Sequence, residues 1–362
     1  MDNPSRIGGL HSIDGPQAWT VADLERDRSW ILELSSSERD EVAAAAREVQ
    51  KLGLRAAEFG RADFPLPKVS RLLKQALLEV KAGKGAAVLR GLPVDPADGE
   101  QAARIAWGLG TYWGHAMRQS PGVNLGDYKG NLVSYIVDQK HDPKDRNVHG
   151  SATGAEQQPH TDPSELVMLL CVRPSADGGG VSRIVSAMTI FNELQRQYPG
   201  AADVLARGFH NDLRNEAKAG PGQSVTGRIP VYGYAQGHLS VNFNSRTIVL
   251  AAEKMGQPLS PEEQRALDAM LELAARDDLC HEMSLRTGDL QLLNNYTVMH
   301  SRTAWSDPPE PERSRFMIRM WLRTDTPRPL PEGFEGGYLT GVHYDVGVQA
   351  RDLDRSRPQA AH

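Results

Sequence analysis

The stretch His160-Thr161-Asp162-Pro163-Ser164-Glu165-Leu166-Val167-Met168-Leu169-Leu170-Cys171-Val172 decides how this chain is read. Its second half is an apolar run far shorter than the about 20 residues a membrane helix needs, and it reads as a buried strand. Its first half carries a His-x-Asp triplet. On a strand, residues two apart share a face, so one imidazole and one carboxylate can reach a single metal while a third ligand comes from a distant strand. Two other triplets exist, His210-Asn211-Asp212 and His343-Tyr344-Asp345. Only His160 is followed by an apolar strand, then by Gly178-Gly179-Gly180, and 140 residues later by His300 at the end of a strand-like run. The other two read as ordinary polar groups.

Two imidazoles and one carboxylate leave open coordination positions, the facial arrangement of mononuclear non-haem iron oxygenases. Zinc accepts the same ligands, so the triad alone does not fix the metal. Beyond His300 comes Arg315-Phe316-Met317-Ile318-Arg319-Met320-Trp321-Leu322-Arg323. As a strand, this puts Arg315, Met317 and Arg319 on one face. Guanidinium groups in an apolar strand are costly unless an anion meets them, and their planar fork suits a carboxylate.

Outward from these landmarks, Trp19 to Gly83 reads as helical. The clearest part follows Pro67, where Val69, Leu72, Leu73, Ala76, Leu77 and Val80 recur at the spacing of one helix face. Ala86-Ala87-Val88-Leu89-Arg90, closed by Gly91-Leu92-Pro93, reads as the first buried strand. Further helices are expected around Glu100–Leu109, Ile190–Arg207 and Ser260–Arg276, the last opened by the capping box Ser260-Pro261-Glu262-Glu263, and further strands at Asn131–Val137, Asp289–Asn294 and Arg315–Arg323. Asp138 to Gln158 is a long polar loop of the kind that serves as a lid or binding loop.

The chain has 362 residues, 24% of them charged and 40% hydrophobic, an ordinary globular composition that excludes disordered and fibrous classes. At roughly 150 residues per domain the length fits two domains, or one barrel or jelly roll of about 250 residues with helical additions. A net charge of −5 gives no reason to expect nucleic acid or an anionic membrane, so a small-molecule partner is the default. Cys171 and Cys280 are in no paired spacing and read as unpaired thiols of a cytoplasmic protein. The N-terminus has no apolar signal-like core.

Taken together and in order, these landmarks resemble the taurine dioxygenase/2,4-D dioxygenase (TauD/TfdA) family of Fe(II)- and 2-oxoglutarate-dependent oxygenases, within the clavaminate synthase-like group. They are Leu89-Arg90-Gly91-Leu92-Pro93, the pair His160 and Asp162, Gly179-Gly180-Val181-Ser182, Leu293-Asn294-Asn295 before His300, and the arginine strand. The resemblance runs from about Gly85 to Leu322, with Val181 standing where many members have an acidic residue.

The resemblance implies a mainly β fold with helical additions (α+β): a double-stranded β-helix, or distorted jelly roll, flanked by N-terminal and inserted helices. Residues 1–84 would be a helical segment packing on the core, 85–329 the oxygenase domain with a helical insert at about 190–280, and 330–362 an extension with a disordered tail. It implies that His160, Asp162 and His300 bind Fe(II) and that Arg315 pairs with the distal carboxylate of 2-oxoglutarate, helped by Ser182. Arg319 would face the metal-proximal end of the co-substrate or an acidic group of the substrate. The expected reaction uses O2 and 2-oxoglutarate to hydroxylate a small, anionic organic substrate, releasing succinate and CO2. Asp162 argues against halogenation, for which relatives replace the carboxylate by a small residue. Candidate substrate contacts are Tyr135, Gln158, Asn295, Met299 and Trp305, with Asn242 and Phe243 in addition. A metal-dependent hydrolase or isomerase on a cupin-like barrel is the alternative, and it leaves Arg315 and Ser182 without a role. No nucleic-acid or membrane partner is expected, and a homo-oligomer is left open.

Overall fold

The computed structural model describes residues 7, 12–117, 119, 132–145, 148, 150–213, 224–331 and 333–334. Its first half contains α1 (Val21–Arg26), β1 (Ile31–Glu33), α2 (Ser36–Lys51), α3 (Ser70–Ala82), β2 (Ala86–Arg90), α4 (Gly99–Gly110), β3 (His115–Met117), β4 (Ser134–Ile136), β5 (Gln157–His160), β6 (Leu166–Arg173) and β7 (Ser182–Ser186). Then follow α5 (Ala187–Gln197), α6 (Ala201–Arg207), β8 (Tyr232–Ala235), β9 (His238–Val241), α7 (Ser245–Met255), α8 (Pro261–Ala274), β10 (Cys280–Met283), β11 (Leu290–Asn294), β12 (Val298–Arg302) and β13 (Phe316–Arg323).

A seven-stranded major sheet runs β1-β2-β11-β6-β13-β3, with β4 also on β13, and a four-stranded minor sheet runs β10-β7-β12-β5. Two facing sheets make the jelly roll. The major sheet is buried on both faces, which is why β6 reads as an unbroken apolar run rather than an alternation. Leu166, Met168, Leu170 and Val172 point to a core shared with α2, α3 and α4, alongside Ile318, Met320 and Leu322 of β13. Val167, Trp321, Ala86, Val88 and Leu293 point the other way, against Ile184, Val298 and Met283 of the minor sheet. The outer side of the minor sheet, through Val185 and Met299, packs on α5, α6, α7 and α8.

One reading needs correction. The segment before Gly83 is not helical throughout: Ile31–Glu33 pairs in parallel with Val88–Arg90 and so extends the major sheet. Its three residues are too few to show a period. The helix α7 is secured by the Asn244 side chain, which accepts from the Thr247 N–H. The expected tail, the triplet at 343–345 and Asn131 lie outside the described residues. Cys171 and Cys280 are free thiols, and no described helix is long and apolar enough to cross a membrane.

Candidate active site

His160 ends β5 and pairs across the minor sheet with His300 of β12, their ring centroids 4.4 Å apart. Asp162 does not share a strand with His160, as the spacing suggested, because β5 stops at His160. A loop delivers it instead. Thr161 N–H donates to the Phe243 carbonyl, Phe243 N–H donates to the Thr161 hydroxyl, and Asp162 N–H donates to Oδ1 of Asn295. These bonds turn the carboxylate toward both imidazoles. Oδ1 lies 4.0 Å from His160 Nε2, and Oδ2 lies 3.8 Å from His300 Nε2 and 3.6 Å from Arg319 Nη1. The ligand atoms of these three buried residues all lie within 4.8 Å of one another, and no other such metal-competent group occurs among the described residues.

Protonation of His300 and Asp162 matches what a divalent metal needs, a neutral imidazole and an ionised carboxylate. Burial, reinforced by the charge of His160, pushes His300 down to about 3. Burial raises the carboxyl of Asp162, but Arg319, the two histidines and the N–H of Trp321, 2.8 Å from Oδ2, outweigh it and hold Asp162 below the usual carboxylate range. His160 places Nδ1 2.9 Å from the Gln158 carbonyl, which selects the tautomer with the lone pair on Nε2, facing the cluster. The donor set therefore fits an iron ion.

Beside the cluster lies a cavity of about 50 Å³ lined by His160, His300, Ser182, Arg302, Arg315 and Arg319, among others. Ile136, Leu169, Leu285 and Met317 give it an apolar side. Among the described residues, three arginines and no carboxylate line it. Arg315 is 6% exposed, and its Nη1 has no hydrogen-bond partner. Its burial disfavours the charge, which only Cys171 and Asp307 offset. Arg319 differs: Nε donates to Gln119 Oε1 at 2.7 Å, and the guanidinium lies over Trp321 and near Asp162. Ser182 donates to Gln291 Oε1 at 3.2 Å. Room for Arg315 comes from Gly180, at φ +65°, where a Cβ would lie 2.6 Å from Arg315 Nε.

The expected substrate contacts fare differently. Gln158 is exposed and offers only its carbonyl, whereas Gln157 lines the cavity. Tyr135 packs edge-on against Phe316 while its neighbour Ile136 lines the cavity, as strand alternation requires. Asn295 is fully buried, fixing Asp162 and donating to Ser164. Met299 alternates away from the neighbouring His300 into the helical insert. Trp305 stacks against the guanidinium groups of Arg302 and Arg315, at 4.1 and 4.5 Å. Phe243 is core, its backbone anchoring Thr161, and the Asn242 N–H donates to the Val231 carbonyl. His210 and Asp212 instead meet the Thr226 carbonyl and Lys254.

Sequence reasoning missed Arg302, Gln157 and Trp321. Arg302 and Trp321 had a signal: each is two residues beyond a site residue on the same strand.

The sequence profile of the taurine catabolism dioxygenase TauD, TfdA family matches residues 48–321. This chain belongs to that family. It is a non-haem iron dioxygenase that uses 2-oxoglutarate and O2. FR-33289 synthase of Streptomyces rubellomurinus (strain ATCC 31215) is 28% identical over 327 residues, covering 88% of this chain and 92% of the relative. Among solved structures, asparagine oxygenase in complex with Fe(II), 2S,3S-3-hydroxyasparagine and succinate superposes with a TM-score of 0.62 at 18% identity, over 81% of this chain and 93% of the other. The non-haem iron oxygenase OrfP, in complex with Fe and alpha-ketoglutaric acid, gives 0.59 at 15% identity, over 82% and 94%. These structural likenesses carry the jelly-roll fold.

Proposed function

We propose that this dioxygenase hydroxylates a small organic anion, with His160, Asp162 and His300 holding Fe(II) and Arg315 holding the distal carboxylate of 2-oxoglutarate. One observation carries the reading: a buried guanidinium with an unpartnered Nη1 lines the same cavity as the two histidines. A dicarboxylate that reaches the triad at one end and Arg315 at the other satisfies that group, and the Ser182 hydroxyl, which lines the same cavity, would share the carboxylate on turning from Gln291. When bound, the iron supplies the centre at which O2 and 2-oxoglutarate react to give succinate, CO2 and the oxidised substrate.

The chain's own residues bind and orient. Trp321 fixes Asp162 through its N–H, and the Gln158 carbonyl fixes the tautomer of His160. Ile136, Leu169, Leu285 and Met317 exclude water on one side of the cavity. An anionic substrate is favoured by the charge of Arg302, which lines the cavity and spends its hydrogen bonds on backbone carbonyls rather than on a carboxylate. A hydrolase reading leaves the buried charge of Arg315 unanswered.

Anaerobic titration of the Fe(II) protein with 2-oxoglutarate tests this assignment. A weak visible charge-transfer band that saturates with co-substrate is expected, and it should be absent from His160→Ala, Asp162→Ala and His300→Ala. A band of wild-type strength in any of these variants would remove that residue from the ligand set. Substrate-dependent succinate release across a panel of acidic metabolites then identifies the substrate.

A further inference from the structure

The pairing of β5 with β12 contains an irregularity that puts one side chain where a regular strand would put its neighbour. His160 faces His300 and Gln157 faces Arg302, so three steps on β5 oppose two on β12. The extra residue falls at Gln158–Pro159, and Pro159 has no N–H to give to a ladder. In a regular strand Gln158 would share the face of His160 and Gln157 would point away. The bulge reverses this: Gln158 is exposed and Gln157 lines the cavity. The same bulge leaves the Gln158 carbonyl to meet His160 Nδ1 at 2.9 Å, while Gln157 Nε2 lies 3.1 Å from His160 Nε2. The carboxamide is closely seated, since a Cβ on Gly150 would come within 3.3 Å of Gln157 Nε2.

We infer that Gln157 is a positioning residue of the reaction, whose amide N–H orients the metal-proximal carboxylate of 2-oxoglutarate. The inference rests on the functional reading above. Without metal the amide donates to the lone pair of His160 Nε2. A metal held by His160 Nε2 would take that lone pair, which would leave the amide N–H of Gln157 facing the cavity. Arg315 then answers one carboxylate of the co-substrate and Gln157 the other.

The test uses the full chain and 2-oxoglutarate itself. In anaerobic Fe(II) titrations, Gln157→Leu should bind 2-oxoglutarate about ten-fold or more weakly, as expected for losing one hydrogen bond to a charged group. Its charge-transfer maximum should shift, since the bound carboxylate loses a donor. Gln264→Leu, at an exposed glutamine of α8, should match the wild type in both. Gln157→Glu, which keeps the packing against Gly150 and sets a carboxylate against the co-substrate, should lose more than Gln157→Leu and serves if the latter does not fold. Wild-type affinity and band position in Gln157→Leu, or equal loss in Gln264→Leu, would overturn the role of Gln157 alone. Absence of a band in the wild-type protein would overturn the functional reading and this inference with it.

Discussion

At the residue scale Arg315, just before β13, and Arg319 within it are alike in residue type and unlike in surroundings. Arg319 is already answered by Gln119 and Asp162, whereas the Nη1 of Arg315 is buried and unpartnered. Arg315→Ala should therefore weaken 2-oxoglutarate by about 30-fold or more, from the about 2–5 kcal/mol typical of truncating one member of a buried charge pair. Arg315→Lys should recover only part of this, because an ammonium cannot form two parallel bonds. Arg319→Ala should uncouple succinate formation from substrate oxidation while leaving co-substrate affinity nearly intact; isothermal titration and product ratios separate the two. Trp321→Phe keeps the ring and removes the N–H from Asp162 Oδ2, so Fe(II) affinity should fall about 10-fold or more. Acid should unfold the metal-free protein early. His300 is held down to about 3, so below the ordinary histidine range the unfolded chain takes up a proton that the folded chain refuses. Asp162 acts in the same direction once pH reaches the carboxylate range. Stability measured by denaturant should be greatest above pH 6.5 and fall steadily toward pH 3, and His300→Gln should flatten the first part of that fall.

At the element scale, β12 carries His300 of the candidate metal cluster and, two residues on, a guanidinium that acts on backbone. Arg302 donates to the carbonyls of Gly150, Thr153 and Ala155, so a stretch without regular ladder bonds is tied to the minor sheet. This explains how the end of the long polar loop forms a cavity wall, with Ser151 and Gln157 facing inward. Arg302→Ala takes the side-chain donor from the carbonyls of Thr153 and Ala155 and should cost about 2–4 kcal/mol, each unsatisfied group being worth about 1–3 kcal/mol. Limited proteolysis between residues 150 and 156 should accelerate in the same variant, and unchanged cleavage would show that other contacts hold the segment.

At the scale of the whole molecule, the helical layer and the site lie on opposite faces of the major sheet. Leu73 of α3 is buried in the helical core, whereas the face that carries Met317 and Trp321 belongs to the inter-sheet and cavity side. Leu73→Ala should destabilise by about 2–5 kcal/mol through its cavity. Its 2-oxoglutarate affinity should remain that of the wild type, because the major sheet lies between α3 and the site. A loss of affinity parallel to the loss of stability would show that the sheet transmits strain.

The sequence by itself determined the pieces whose signal is local. The apolar run 166–172 declared a strand buried on both faces, the three-and-four spacing after Pro67 declared α3, and the triplet with its distant histidine declared three side chains that come together in a group able to hold a metal. Residue type was enough there, because burial of an unbroken run and the ligand chemistry of His and Asp do not depend on long-range detail. Only the tertiary structure decided which side chains enter the cavity. A bulge at Gln158–Pro159 exchanged Gln157 for Gln158, alternation on short strands exchanged Ile136 for Tyr135, and Asn295 went to fix a backbone N–H rather than to line the pocket. The physical reason is that the side-chain period of a strand is two, so one inserted residue reverses a face, and the insertion appears only in the register between strands far apart in the chain.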